Sequence, residues 1–592
     1  MSAFLHTSRS ALAFIMLISV MLPIVLTACN NESGSGTGVI VDSNEISTGS
    51  PFIPESTAPG DDTTGVEDVT TGAEDVTTGA EDVTTGIDEV TTGKDETTTA
   101  PVPDDTTSPV PDDTTAPVPD DTTSAPEDTT APPETTGPEV PGVAEGEMKY
   151  NEALVLVGKG KFMQASKYLA DISVSDVSYR EKAKALIAAN TAGFTTAITE
   201  AVTEYMVRYQ IPEGEKYLNS LLGMGIDSYV KAEAERLENY RIFQDVNVET
   251  VYLNQTLENI YTHCLIAFPE INFKSKYTYR NCGDDCLTPN EFRYLLNRLY
   301  DLGYIIIDAN LLYDEAKDAP VYSLKLPKGK KPLVFTFDDV TYDSRKMGKG
   351  MVDKIIVDED GYVCTYTEHK DGTVVVSYDN ELFPIINSFV REHPDFTYHG
   401  GRGTLFFTGF DGILGYRTQS NPIDDAEAAL GLDRNVEIAK AKVVVEALRA
   451  EGWTFGSHSY NHSHMTRLSA EKFKWDTDTW LEEVGSIIGE TKLFCWPFGD
   501  HTDANYNSNL RKGELHKYLF DSGFKVFFGC GAARYLANEL DGLGIFTDRK
   551  GMTGNVLYYI DKGYQSYLKH YLYLIDPEEM WDEYRLPYRY MK

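Results

Sequence analysis

The pattern of apolar and polar positions predicts two kinds of structure in the second part of the chain. Across residues 150–170, apolar side chains recur three, four and seven positions apart, which predicts an amphipathic helical arrangement. The run KYL at 167–169 recurs at 216–218, so we expect two helical-hairpin units within residues 147–245. Farther along, the run PLVFTF at 332–337 is continuously apolar and β-rich, as in a strand buried on both faces.

The predicted helical units resemble tetratricopeptide hairpins. The run GKFxxA at 160–165 carries the likeness, although the repeat period of about 50 residues is longer than that family's. Two units are few for a solenoid that binds a peptide. The pattern therefore favours a spacer or docking module, and the sequence does not identify a protein partner for it.

Residues 29–146 show no apolar periodicity. A seven-residue repeat ending in VTTG occupies residues 66–93, and PVPDDTT repeats follow within residues 101–124. Neither repeat provides the apolar seam of a coiled coil, and proline at this density prevents both helix and sheet. We therefore predict an extended, disordered stalk that is acidic and rich in Thr and Pro.

The stalk carries most of the net charge. Of 592 residues, 92 are acidic and 52 basic, and residues 30–146 contain 27 of the acidic residues but a single basic one, Lys94. Nucleic acid and anionic lipid headgroups are bound through clusters of Lys and Arg. This charge distribution therefore excludes nucleic acid as a partner.

The N-terminus resembles a bacterial lipoprotein signal. A weakly positive start with Arg9 precedes an apolar run at 10–26, and the sequence LTAC ends at Cys29. The resemblance implies removal of residues 1–28 and acylation of Cys29, and a retained signal anchor is the alternative. We expect the protein to be extracytoplasmic, at the bacterial cell surface, and lipid-anchored to the membrane through Cys29.

Two adjacent carboxylates follow the apolar run at 332–337. They are Asp338 and Asp339, and in α/β folds ligand groups collect at the carboxyl ends of parallel strands. One carboxylate of such a pair can bind a metal ion while the other is oriented as a general base. A pair of turn or helix-capping aspartates is the alternative interpretation.

Histidines at metal-binding spacing lie farther along the chain. A helical pattern at 436–450 ends at Gly452, a short strand at 453–455 follows, and then come His458 and His462. We expect both histidines on one face of a helical turn, where the two imidazoles reach one ion. Two imidazoles and one distant carboxylate, with open positions for water and substrate, suit a catalytic divalent ion.

Three motifs in this order resemble those of the polysaccharide deacetylases, the NodB-homology or carbohydrate esterase 4 family. They are TFDD at 336–339, HSxxH at 458–462, and FxxPFG at 494–499, the last in a predicted strand with an aromatic turn. The resemblance covers residues 250–592, with TLFF at 404–407 as a further strand. It implies an α/β fold of the distorted (β/α) barrel type.

The resemblance also implies the chemistry of the site. It assigns Asp338 as general base and a backbone N–H near Phe498 as an oxyanion donor. It assigns the ligands of one divalent metal ion, generally zinc, to Asp339, His458 and His462. The implied substrate is a glycan, and the implied products are acetate and a free amine.

Several roles stay open at this stage. Residues expected to contact the sugar are Tyr460, Trp496, Pro497 and Phe498. Candidates for the general acid are His263, His464 and His570, the last in a Leu-x-His run such as the family uses. Cys495 stands where many members have an Arg that orients the base, and the replacements considered are Arg549, Arg417 and Arg402.

Two local features remain. Residues 343–400 contain strand-like runs at 354–357 and 373–376 beside Asp-Gly turns, which predicts an inserted β-hairpin that shapes the cleft. Cys282 and Cys286 either close a small loop as a disulfide or remain free thiols.

The first functional hypothesis is a metal-dependent hydrolase that removes acetyl groups from N-acetylated glycans of the cell wall or extracellular matrix. A second is a non-catalytic glycan-binding surface lipoprotein on a degenerate deacetylase fold. A third is an O-deacetylase of acetylated xylan, which shares the chemistry and differs in the atom that carries the acetyl group.

Overall fold

The computed structural model describes residues 145–274, 282–500, 511–531, 536–538 and 542–585. All of them lie in one compact unit, Thr129–Lys592. The predicted signal, Cys29 and nearly all of the stalk fall outside the described residues. No helix in the described ranges is long and apolar enough to cross a membrane.

Six helices open the described chain. Their bounds are Glu145–Gly158 (α1), Phe162–Ala170 (α2), Val177–Ala189 (α3), Thr191–Val207 (α4), Ile211–Leu221 (α5) and Asp227–Arg241 (α6). Gly160, with φ of +76°, lies in the turn between α1 and α2, so the helical pattern over 150–170 is divided between two helices. The helices bury a core of their own, with Leu169, Ile198 and Leu218 at its centre.

The rest of the described chain alternates strands and helices. The strands are Val248–Tyr252 (β1), Glu258–His263 (β2), Tyr304–Ile306 (β3), Tyr313–Asp314 (β4), Ala319–Pro320 (β5), Ser323–Pro327 (β6), Lys331–Asp338 (β7), Lys354–Val357 (β8), Val363–Glu368 (β9), Val374–Ser377 (β10), Gly403–Phe407 (β11), Trp453–Ser457 (β12), Leu493–Cys495 (β13), Val526–Phe528 (β14), Leu536–Asn538 (β15), Ile545–Thr547 (β16) and Lys550–Gly551 (β17). The helices are Leu253–Thr256 (α7), Pro269–Asn272 (α8), Pro289–Asp301 (α9), Leu382–Glu392 (α10), Asp425–Ala429 (α11), Arg434–Glu451 (α12), Ala470–Trp480 (α13), Ser486–Ile488 (α14), Arg511–Asp521 (α15), Gly554–Asp561 (α16), Gln565–Tyr571 (α17) and Pro577–Met580 (α18).

The main sheet closes into a distorted (β/α) barrel. Its strand order is β15-β16-β14-β13-β12-β11-β7-β2-β17, with β3 also paired to β7, and every pairing except β15 with β16 is parallel. β16 and β17 lie towards opposite ends of this path, yet only residues 548–549 separate them in the chain. Because three Cα steps reach at most about 11 Å, the two ends of the path must come together.

The elements predicted around the motifs are present. The run at 332–337 lies in β7, whose side chains are buried from residue 332 onward. The helical pattern at 436–450 lies in α12, and Gly452 ends that helix with φ of +101°. These agreements confirm that continuous apolar runs in this part of the chain mark buried parallel strands.

The insertion at 343–400 has more structure than the predicted hairpin. It contains a three-stranded antiparallel sheet, β10-β9-β8, and then α10. Both predicted Asp-Gly turns are present, with φ of +87° at Gly361 and +83° at Gly372. The middle strand was missed because its sequence, VCTYTE, alternates small and polar residues and gives a weak apolar signal.

Candidate active site

The carboxyl ends of the barrel strands bring the motif residues together. Asp338 is the last residue of β7, and His263, the last residue of β2, is its register partner. His458 directly follows β12, and Cys495 ends β13. Because the strands are parallel, all four residues lie at one edge of the sheet, the position where α/β folds place their ligands.

Three predicted metal ligands form a compact set of donors. One ligating atom from each of Asp339, His458 and His462 lies within 4.8 Å of the others. Oδ1 of Asp339 is 3.8 Å from Nε2 of His462. Both of these residues have left-handed backbone conformations, with φ of +56° and +50°, a costly geometry for non-glycine residues that the surrounding fold imposes.

The expected helical turn between the histidines is wrong. Residues 458–464 form an irregular loop, with φ of +58° at Ser459. The two imidazole rings are nevertheless close, with centroids 4.9 Å apart. Residues with left-handed backbone conformations therefore bring the two imidazoles together in this loop, where we had expected helical spacing to do so.

The protonation states of these residues fit a divalent cation. Nδ1 of His458 donates to the carbonyl oxygen of Cys495 at 3.0 Å, which leaves the Nε2 lone pair for a ligand. Burial lowers the pKa of His458 to about 4, so this imidazole is neutral at pH 7. Burial raises the pKa of Asp339, but the neighbouring basic groups together outweigh it, so the pKa lies below its usual value. One carboxylate and neutral imidazole nitrogen are the donors that zinc prefers.

Arg549 holds the predicted general base. Its Nη1 donates to Oδ1 of Asp338 at 2.7 Å and its Nη2 to Oδ2 at 2.9 Å, and both side chains are almost fully buried. Burial raises the pKa of Asp338, but the charge of Arg549 more than offsets it, so the pKa lies well below its usual range. Asp338 is therefore ionised and fixed in orientation.

Of the three arginines considered from the sequence, the structure places only Arg549 here. Arg417 instead donates to the carbonyl oxygens of Asp411 and Tyr342, and Arg402 donates to that of Gly400. Arg549 lies in the two-residue link that closes the barrel, a position that no local sequence motif marks.

Cys495 lies against this arginine. Its Sγ is 2.8 Å from Nη2 of Arg549 and 3.7 Å from Oδ2 of Asp338. Asp338, His458 and Cys495 thus form a second group of potential ligands. Because the guanidinium of Arg549 already contacts two members of this group, the group containing Asp339 suits a metal ion better.

Two of the three candidate acids share one cavity. His263 lies in a cavity of about 580 Å³ that His570 also lines, and its Nδ1 is 3.0 Å from the carbonyl oxygen of Asp285. His464 stacks on Phe498 with ring centroids 4.2 Å apart. Only His263 is a direct strand-register partner of Asp338.

Three of the four residues predicted to contact the sugar are buried in this structure. Trp496 is fully buried, Pro497 is buried, and Tyr460 is buried with its hydroxyl donating to Glu483. Phe498 is 55% exposed, and its ring centroid is 4.5 Å from that of His462. Of these residues, Phe498 alone is placed to stack on a sugar.

A second cavity lies on the Asp339 side of the site. It measures about 460 Å³, and Asp339, His462, Arg345, Lys346 and Asn461 are among its lining residues. The last three were not predicted, since an isolated Arg, Lys or Asn in a loop carries no sequence signal. One cavity is thus lined by Asp339, and the other by His263, the register partner of Asp338.

The six described cysteines are free thiols. Cys282 and Cys286 are both buried. The sequence left a disulfide and two free thiols open, and the structure has the free thiols. Burial raises the pKa of Cys286 well above its usual value, which keeps this thiol protonated.

The comparisons with known proteins point to one family. The family model described as polysaccharide deacetylase matches residues 416–513. This segment contains the second and third motifs, whereas Asp338 and Asp339 precede it. No curated protein matches the chain.

Three solved structures are similar in part. A polysaccharide deacetylase from Bacillus cereus is 11% identical over 53% of this chain and 69% of that chain, with a TM-score of 0.30. A Streptococcus pyogenes deacetylase in complex with acetate is 13% identical over 52% and 95%, and a putative polysaccharide deacetylase from Bacillus anthracis is 13% identical over 51% and 67%, both with a TM-score of 0.28. Scores this low carry no argument about function.

The matched segment, the three motifs in order and the parallel barrel agree with one another. The family is one of hydrolases that act on acetylated carbohydrates. Residues 416–513 thus match the polysaccharide deacetylase family model, and the barrel that contains them has the fold expected of the NodB-homology, or carbohydrate esterase 4, family.

Proposed function

We propose that the protein is a metal-dependent hydrolase that removes acetyl groups from N-acetylated glycans of the cell wall or extracellular matrix. The observation that supports this most directly is the juxtaposition of the ligand set, Asp339, His458 and His462, with the Arg549-held carboxylate of Asp338. A base next to an open two-nitrogen, one-oxygen site is the arrangement that activates water against an amide.

The chain's own residues define the path of the protons. A divalent ion bound by Asp339, His458 and His462 would polarise the acetyl carbonyl and acidify a water molecule. Asp338, kept ionised by Arg549, takes the proton of the attacking water. A backbone N–H near Phe498 would donate to the oxyanion that develops on the carbonyl oxygen.

We assign the general acid to His263. Its Nδ1 donates to the carbonyl oxygen of Asp285, so Nε2 is the nitrogen that, in the imidazolium form, gives its proton to the leaving amine. It reaches the site from β2, directly beside β7, where neighbouring strands lie about 4.8 Å apart. The step breaks the C–N bond, places the acyl group on the water oxygen as acetate, and leaves a free amine on the sugar.

We also propose that the enzyme works at the bacterial surface, anchored through an acylated Cys29 and spaced from the membrane by its stalk. The LTAC sequence and the Thr- and Pro-rich repeats support this location. Replacing Cys29 by Ala should release the full-length protein from the membrane fraction. Retention of that variant in the membrane would point to the uncleaved signal anchor instead.

Acetate release tests the activity. The purified protein is incubated with N-acetylated oligosaccharides, peptidoglycan and O-acetylated xylan, before and after chelation and with zinc restored. We expect acetate from an N-acetylated glycan, loss of that release with chelator or Asp338→Asn, and recovery with the metal. Release from xylan alone would identify an O-deacetylase, and glycan binding without any acetate would identify the non-catalytic alternative.

A further inference from the structure

A cavity of about 450 Å³ lies where the helices α2 and α4 meet the barrel. Its walls come from α4, from the inserted sheet and from the barrel helix α10, with Glu200, Glu204, Tyr362, Tyr378 and Arg391 among the lining residues. A volume of this size accommodates one or two sugar units, within the range of small-molecule sites.

Direct contacts hold the two walls of this cavity in place. Nε of Arg391 donates to Oε1 of Glu204 across the cavity, and Nζ of Lys161 pairs with the carboxylate of Asp360 in the inserted sheet. Nε2 of Gln244 donates to the carbonyl oxygen of Thr397 at 2.8 Å. The cavity is therefore a fixed element of the fold, bounded by two otherwise separate cores.

The lining is acidic and aromatic. Four glutamates and a single guanidinium line the cavity, and the glutamates are Glu200, Glu204, Glu392 and Glu451. The rings of Tyr362 and Tyr378 supply flat apolar faces, and the guanidinium of Arg391 lies 5.2 Å from the ring centroid of Tyr362. A cation that also offers hydroxyl groups and an apolar face complements this lining.

One carboxylate oxygen on the cavity wall lacks a hydrogen-bond partner among the described residues. Glu451 is 3% exposed, and its Oε2 accepts a hydrogen bond from Nδ2 of Asn387 at 2.5 Å. Its Oε1 is buried and has no hydrogen-bond partner among the described residues. A buried carboxylate oxygen without a partner is costly, and a bound donor would remove that cost.

The cavity is separate from the catalytic edge. Glu451 ends α12, immediately before β12 begins at Trp453, whereas His458 follows the other end of that strand. Five residues of strand span about 17 Å. A single sugar unit therefore cannot occupy both places.

We propose that this cavity is a second binding site, for the free amino group and hydroxyls of a de-N-acetylated sugar. The proposal rests on the proposed function, because that reaction produces such sugars from neutral N-acetylated ones. The ammonium group would pair with Glu451 and Glu200, and a tyrosine ring would cover the apolar face of the sugar. The enzyme would thereby hold the product end of a polymer while it works on the remainder.

Titration calorimetry with the full-length chain tests this site. Measurements use the Asp338→Asn background to prevent turnover, with a glucosamine tetramer, the N-acetylated tetramer and spermine as probes. We expect the glucosamine tetramer to bind at least 10-fold more tightly than the other two. Glu451→Gln and the surface variant Glu200→Gln should each weaken its binding about 10-fold, whereas the control Glu446→Gln, on the exposed side of α12, should not.

Three results would overturn the proposal. They are equal binding of the N-acetylated tetramer, equally tight binding of spermine that depends on Glu451, and glucosamine binding that neither cavity variant weakens. Acetate release by the same preparation carrying Asp338 is measured in parallel. If glucosamine binds through Glu451 but no acetate is released, the proposed function fails while the site remains.

Discussion

Two bidentate arginine–carboxylate pairs are buried in the described part of the barrel, and only one of them lies in the active site. Arg549 donates to both oxygens of Asp338, at 2.7 and 2.9 Å, and Arg585 donates to both oxygens of Glu291, at 2.5 and 2.7 Å. All four side chains are at most 4% exposed. Burial and bidentate geometry therefore do not distinguish a catalytic pair from a structural one.

The neighbours of each pair make the difference. Arg585 also donates to the carbonyl oxygens of Gly283 and Cys286, and Glu291 closes the capping box of α9 with Thr288. These hydrogen bonds connect three segments of the chain, namely the loop at 283–286, helix α9 and the segment that carries Arg585. The surroundings of Asp338 are instead His458, His263 and a thiol, beside two cavities. A buried pair marks a reaction site when its neighbours are groups that can exchange protons or bind a metal.

The largest expected effect separates the two pairs by activity. Asp338→Asn removes the general base while it keeps the size of the side chain, so acetate release should fall by about 10²–10⁴-fold. Because the substitution also leaves the buried guanidinium of Arg549 without its anion, the thermal midpoint should fall as well, and rates are compared per folded molecule. Initial rates measured on the most reactive glycan, together with calorimetric unfolding, check both halves of this prediction. An active Asp338→Asn variant would assign the base to another residue.

The structural pair should show the opposite behaviour. Arg585→Met leaves Glu291 buried without its cation, which should lower the free energy of unfolding by about 3–5 kcal/mol. Urea unfolding measures this loss. The activity per folded molecule should stay unchanged, and the double variant Arg585→Met with Glu291→Gln should recover part of the stability. A loss below about 1 kcal/mol would show that the pair is not needed.

A third substitution tests whether Arg549 orients the base. Arg549→Lys keeps the charge but loses the bidentate contact, so kcat should fall about 10–100-fold. Arg549→Met also removes the charge that holds down the pKa of Asp338, so the acidic limb of the pH profile of kcat/KM should move to higher pH. Arg402→Lys, an arginine considered from the sequence but bonded elsewhere, serves as control. An unshifted profile for Arg549→Met would leave this arginine a purely structural role.

The sequence predicts the part of the site that lies in short motifs. Asp338, Asp339, His458 and His462 each follow a strand that its apolar run reveals, and parallel strands bring their ends to one edge. Arg549 was one of three equal candidates, because its position depends on the closure of the barrel by residues 548–549. The burial of Trp496 and Tyr460 was equally hidden, since aromatic residues suit both a core and a sugar site.

Glu381 is a buried carboxylate of the barrel that has no cation beside it among the described residues. Glu381 is fully buried and accepts hydrogen bonds from the backbone N–H groups of Leu265 and Leu382, at 3.0 and 2.8 Å. No described Lys or Arg forms an ion pair with it. Burial raises its pKa to about 8, whereas the pKa of Asp338, with Arg549, lies below its usual range.

This raised pKa should make the barrel less stable as the pH rises. The unfolded chain releases the Glu381 proton above about pH 4.5, while the folded chain keeps it until about pH 8. Its contribution is therefore complete below about pH 4.5 and lost as the pH rises through about 8, with a slope of up to about 1.4 kcal/mol per pH unit. Urea unfolding at pH 5, 6.5 and 8 should show this slope reduced in Glu381→Gln but not in the exposed control Glu446→Gln. If stability falls with pH equally in all three proteins, Glu381 is ionised in the folded chain. A buried carboxylate of this barrel would then stay charged without a neighbouring cation.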